Sequence, residues 1–244
     1  MLKKVSILLI SITMILFVSA CGTSEQNSES DTTNESNNAE AVTGGWEMHD
    51  NEASVLPENV QTAFDKAVEI FTGSELKPVA YVASQVVAGT NYMILCEATT
   101  TTETPAISYQ MVIVYSDTDG NAEIKQIKEF DLAAYTEGEG SEISNEKLAG
   151  GWEIAEDRSS VVIPQEAKDA FDKATENLDG NELEPMALLG TQVVNGTNYA
   201  FLCFSTLQTE ETINGVQVVT VNADTDGNAG ISNICTVDPA EFNE

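Results

Sequence analysis

The chain repeats itself, and that duplication limits its possible folds more than any other feature. Ala-Phe-Asp-Lys-Ala at 63–67 returns at 170–174, and Gln-Val-Val-Ala-Gly-Thr-Asn-Tyr at 85–92 returns as Gln-Val-Val-Asn-Gly-Thr-Asn-Tyr at 192–199. Asp-Thr-Asp-Gly-Asn-Ala at 117–122 returns at 224–229. All three share an offset of 107, and segments 63–98 and 170–205 are identical at 20 of 36 positions. A unit of about ninety residues is long enough to close its own core and too long for a solenoid turn.

Each copy reads as one helix followed by strands. Val60, Ala63, Phe64, Ala67, Val68 and Phe71 recur at three- and four-residue spacings after Pro57, giving one apolar helix face that Gly73 closes. Pro164, Ala167, Ala170, Phe171, Ala174, Leu178 and Gly180 repeat the pattern. The period then changes to two. Strands are expected at 79–87, 90–98, 107–115 and 122–127, with Tyr92, Ile94 and Cys96 on the core face and turn chemistry at 117–121. One apolar stripe on one sheet face predicts a two-layer α+β unit.

The N-terminus points to export. Lys3-Lys4 precedes the apolar run 5–18, and Ser19-Ala20 precede Cys21. This is the layout of a secretory signal at 1–20. Val18-Ser19-Ala20-Cys21 resembles a lipobox, which implies a lipid on Cys21 and a place in the cell envelope on the extracytoplasmic side of the membrane. An ordinary signal peptide with an incidental cysteine is the alternative. Residues 21–41 are almost wholly polar and read as a disordered tether. The expected divisions are then 42–132 for a first domain, 133–147 for a linker and 148–244 for a second domain.

Ten basic residues stand against 40 acidic ones. Removing 1–20 takes Lys3 and Lys4, leaving 8 against 40, a net −32. Such a surface repels nucleic acid and anionic lipid, so contact with the membrane is expected only through the lipid. The charge suits a basic partner, and serves solubility equally well. Cys96 and Cys203 sit at equivalent places in apolar runs and read as small buried hydrophobes, while Cys235 has Lys128 as its counterpart. His49 is the only histidine. No metal-ligand spacing or paired acid and base stands out, so no cofactor and no enzymatic activity are expected.

Gln85–Gly89 and Gln192–Gly196 fit Gln-x-Val-x-Gly, and the following Thr-Asn-Tyr extends the match. Gly44-Gly45-Trp46 and Gly150-Gly151-Trp152 stand ahead of the helices. In pattern and order the chain resembles the cystatin family, its stefin branch included, over roughly 42–130 and 148–237. The resemblance implies an α+β fold of two tandem cystatin-like domains, each one amphipathic helix on an antiparallel sheet. It also implies reversible inhibition of papain-like cysteine proteases by a wedge that fills the cleft. The wedge would take Val42, Gly44, Gly45, Gln85, Val86, Val87, Ala88 and Gly89 from the first copy. From the second it would take Leu148, Gly150, Gly151, Gln192, Val193, Val194, Asn195 and Gly196.

Two departures bear on that expectation. The turns at 117–121 and 224–228 are acidic, where the family carries an apolar or aromatic second hairpin. Trp46 and Trp152 either pack on their domains, the favoured reading, or act as substitute anchors. Gln-Val-Val-x-Gly also has a purely structural reading, a strand end and tight turn with glycine at positive φ. A surface binding or adhesion module without inhibitory activity is the alternative function. Calcium at 117–121 is disfavoured, because the spacing departs from the EF-hand loop.

Overall fold

The structure is a computed structural model, and it describes residues 45–50, 56–136, 151–154, 163–210 and 212–243. The expected signal, tether, Cys21, Val42, Gly44, Leu148 and Gly150 lie outside the described residues.

The first repeat runs β1 (Trp46–Met48), α1 (Glu58–Val68), β2 (Ser74–Val87), β3 (Gly89–Thr100), β4 (Ile107–Ser116) and β5 (Ala122–Glu129). A short helix, α2 (Leu132–Thr136), follows. The second repeat runs β6 (Trp152–Ile154), α3 (Gln165–Thr175), β7 (Asn181–Val194), β8 (Gly196–Gln208), β9 (Thr212–Ala223) and β10 (Ala229–Val237). Each set of strands forms one antiparallel sheet in sequence order, β1 to β5 and β6 to β10.

The expected fold of two tandem cystatin-like domains, each one helix on a sheet, is corrected. Among the described residues the protein is mostly β, two five-stranded sheets with only three short α-helices. The sheets also share a core. Met93, Leu95, Tyr109 and Met111 of the first sheet cluster with Leu189, Leu202, Val216 and Val218 of the second. The Tyr109 hydroxyl donates to the Leu189 carbonyl across this seam at 2.6 Å. The described residues from 45 to 243 accordingly fall in one compact unit.

The physical reason lies in the strands. Tyr92, Ile94 and Cys96 face α1, as alternation requires. Met93 and Leu95, on the opposite face, are fully buried as well. A strand buried on both faces reads as an unbroken apolar run, and Tyr92–Cys96, Met111–Val114 and Ala200–Phe204 are such runs. The outer faces are covered by α1 and α3. Val60, Phe64 and Ala67 pack on Ile94 and Val112, and Ala167 and Phe171 pack on Phe201 and Val219.

The stretch after β5 strengthens the seam. Residues 133–136, expected at the start of the linker, belong to α2, and Leu132, Ala133 and Thr136 are buried. Asn233 Nδ2 donates to the Tyr135 carbonyl at 2.9 Å, Lys128 Nζ donates to the Glu241 carbonyl at 2.5 Å, and Phe130 stacks with Phe242.

Candidate functional site

Strand register brings the three loops of each sheet to one end. Residues 87–89 close the β2–β3 hairpin, and Thr90 pairs with Ser116 at the end of β4. Ser116 pairs with Ala122 across the 117–121 turn. Trp46 pairs with Gln85, so Gly45 enters β1 beside the same hairpin. The second sheet repeats this: Val194 pairs with Gly196, Thr197 with Ala223, and Trp152 with Gln192.

At each apex the residues of the Gln-x-Val-x-Gly pattern divide into two groups. Val86, Val87 and Ala88 are exposed, as are Val193, Val194 and Asn195. Val86 is 43% and Val193 70% accessible, so both tips present apolar side chains to solvent. The glutamines are less open than the valines, Gln85 being buried and Gln192 half-buried. Gln85 Oε1 accepts from Asn91 Nδ2 at 2.7 Å, while Gln192 Oε1 accepts from Asn198 Nδ2 at 2.6 Å. Each glutamine oxygen thus braces its hairpin against the next strand.

The glycines are required by the fold. Gly89 and Gly196 have φ of 148° and 116°. A Cβ there would lie 2.3 Å from the Ser116 carbonyl oxygen and 2.1 Å from that of Ala223. Gly45 is exposed just ahead of β1 and Gly151 half-buried just ahead of β6. Trp46 and Trp152 pack against the shared core.

The acidic turns are built from their own side chains. Asp117 Oδ1 accepts from the amides of Asp119 and Asn121, and its Oδ2 accepts from Asn121 Nδ2, at 2.8–2.9 Å. Asp224 does the same with Asp226 and Asn228. The Asn121 side-chain and backbone donors hold the Asp117 carboxyl below its ordinary value, and the Asn228 donors do so for Asp224. Lys66 Nζ donates to the Gly120 carbonyl, and Lys173 Nζ to that of Gly227. These oxygens are occupied in holding the turn. Among the described residues no group of three His, Cys, Asp or Glu side chains is placed to hold a metal.

His49 secures the arm that follows β1. Its ring stacks on Tyr81 with centroids 4.4 Å apart, its Nε2 lies 2.8 Å from Ser84 Oγ, and its amide donates to the Val82 carbonyl. Burial lowers the imidazole below its ordinary value, against the opposing pull of Glu47 and Asp50. Burial likewise pushes the Tyr81 phenol up to about 12. The unfolded chain therefore takes up the His49 proton near pH 6.5, before the folded one does. This contribution to stability is present above that value and is lost as pH falls through the lower folded value. Denaturant midpoints measured at about pH 7.5 and about pH 5 should drop more for the native chain than for His49→Gln. An equal drop would mean that His49 carries no part of the pH dependence.

Cys96 and Cys203 are fully buried free thiols, and burial pushes both well above the ordinary thiol value. Neither is ionised at neutral pH, so neither is poised as a nucleophile. Sequence reasoning missed Asn91 and Tyr115. Asn91 is fully buried, and the Tyr115 hydroxyl donates to the Ala88 carbonyl at 2.9 Å. The available signal was the repeated Thr-Asn-Tyr together with the mismatch of Tyr115 against Asn222. Compared with known proteins, the chain matches no protein-family model and no curated protein.

Proposed function

We propose that the protein is a reversible inhibitor of papain-like cysteine proteases, and that it fills the protease cleft with the tips at 85–89 and 192–196. The observation that carries this reading is the pairing register. It gathers Gly45, the 85–89 apex and the 117–121 turn at one end of the first sheet, and leaves Val86 and Val87 exposed there. The resemblance of both apexes to the cystatin hairpin pattern supplies the target class. A braced, tight hairpin enters an apolar cleft with little ordering cost. It presents a turn, not an extended strand, to the nucleophile, so no bond is aligned for cleavage. In this proposal the polar stretch 21–41, with a lipid on Cys21, tethers the inhibitor outside the membrane.

A second reading rests on the acidic turns. They lack the apolar anchor of a full wedge, which suits a surface binding module without inhibitory activity. Papain inhibition by the chain from residue 22 separates the two. The double variant Val86→Asp, Val193→Asp changes only exposed side chains, so it should stay folded by circular dichroism. Its inhibition constant should rise about 100-fold, as expected when charge replaces an apolar anchor. Unchanged inhibition by the folded variant would overturn the tip assignment. No inhibition by the native chain would favour the binding module.

A further inference from the structure

The two tips are built on the same cross-strand row and finished differently. In the first sheet Gln85, Asn91 and Tyr115 lie side by side across three strands. In the second the row is Gln192, Asn198 and Asn222. Asn222 Nδ2 donates to Asn198 Oδ1 at 2.7 Å and completes its row. Tyr115 instead reaches over the apex, where its hydroxyl donates to the Ala88 carbonyl and its ring closes on Gly89. A Cβ at Gly89 would fall 2.9 Å from Tyr115 Cε2. In consequence Asn91 Oδ1 is buried without a hydrogen-bond partner. A buried acceptor left unpaired is costly, and the second row shows that asparagine at this place removes the cost.

We infer that the two tips are unequal binding heads, the first being the tighter, and that Tyr115 is the positioning residue that makes it so. This rests on the inhibitor reading above. Tyr115 fixes the first apex before any partner arrives, so binding there loses less conformational freedom. Among the described residues no ring closes over the second apex, and its Val193 stands further into solvent than Val86. Fixing the first tip leaves Asn91 Oδ1 unsatisfied, so local stability and tip order oppose each other at this one position.

Tyr115→Asn, which copies the second row, tests the inference in the chain from residue 22. Val193→Asp is added so that only the first head acts on papain. Dissociation of papain should quicken about tenfold, while the thermal midpoint holds or rises because Asn91 Oδ1 gains a donor. Tyr115→Phe keeps the ring and loses the bond to Ala88, and should fall between the two. Affinity and midpoint falling together would mark Tyr115 as merely structural and overturn the inference, as would unchanged dissociation. If the native chain does not inhibit papain, the function proposal fails by itself. Amide exchange at Ala88 and Gly89 then decides the positioning role. Faster exchange in Tyr115→Asn upholds it, and unchanged exchange overturns it.

Discussion

Residues 42–136 produced alone should not give a stable monomer. The cut leaves the first sheet with α1 on one face and nothing on the other. Val79, Val82, Met93, Leu95, Tyr109, Met111 and Ile113, each at most 3% accessible in the whole protein, belong to the shared cluster and would meet water. At about 1.5–3 kcal/mol for each large apolar side chain, the loss reaches roughly 10 kcal/mol or more. That equals the whole stability of an ordinary domain, about 5–15 kcal/mol. The Tyr109 hydroxyl would also lose the Leu189 carbonyl. The fragment should aggregate, dimerise through the bare face, or show no cooperative unfolding, as light scattering and thermal denaturation would report. A monomeric, cooperatively folded fragment would mean that the seam contributes little. In the whole chain both repeats should melt in a single transition.

Gly89→Ala and Gly196→Ala should each destabilise the chain by about 2–4 kcal/mol, at the upper end for single substitutions. Positive φ costs any side chain energy there, but the decisive term is steric. The new Cβ would overlap a carbonyl oxygen of the neighbouring strand, and at Gly196 the Asp224 Cα as well. Relief requires β2–β3 to part from β4, or β7–β8 from β9. Gly196→Ala should be the more severe, because every close atom there is backbone, whereas two of the three at Gly89 belong to the Tyr115 side chain. Urea midpoints of the two variants check the order. If either matches the native chain, the tight approach is wrong. The pattern glycines thus report on folding, and binding is better probed at the valines.

Much of the fold was legible. The duplication, both principal helices and the four long strands of each repeat follow from spacing and turn chemistry. Three features were not. β1 and β6 are three residues long, too short for any period to show, and are fixed by pairing with β2 and β7 and by packing on the shared core. β2 begins at Ser74 and not at Val79. Ser74-Glu75-Leu76-Lys77 already alternates, but Pro78 marks a strand boundary in sequence and an irregularity of register in the structure. The seam between the sheets had a signal in the unbroken apolar runs, which were assigned to one buried face when two were needed.

At the candidate tips the sequence pattern shows the place of the hairpins and not the facing of their side chains. The pattern located both tips. It did not separate exposed Val86 and Val87 from buried Gln85, because that division depends on which strand lies beside each residue. Tyr115 lies outside the pattern, and only its mismatch with Asn222 set it apart.

The most direct test of the tips as binding heads is a footprint. Hydrogen exchange of the chain from residue 22 would be compared free and bound to papain whose catalytic cysteine carries a small blocking group. Protection concentrated at 86–89 and 193–196, extending to the neighbouring turns 117–121 and 224–228, is the predicted result. Failure to form a complex, or a complex protected only on the outer surfaces of α1 and α3, would contradict it.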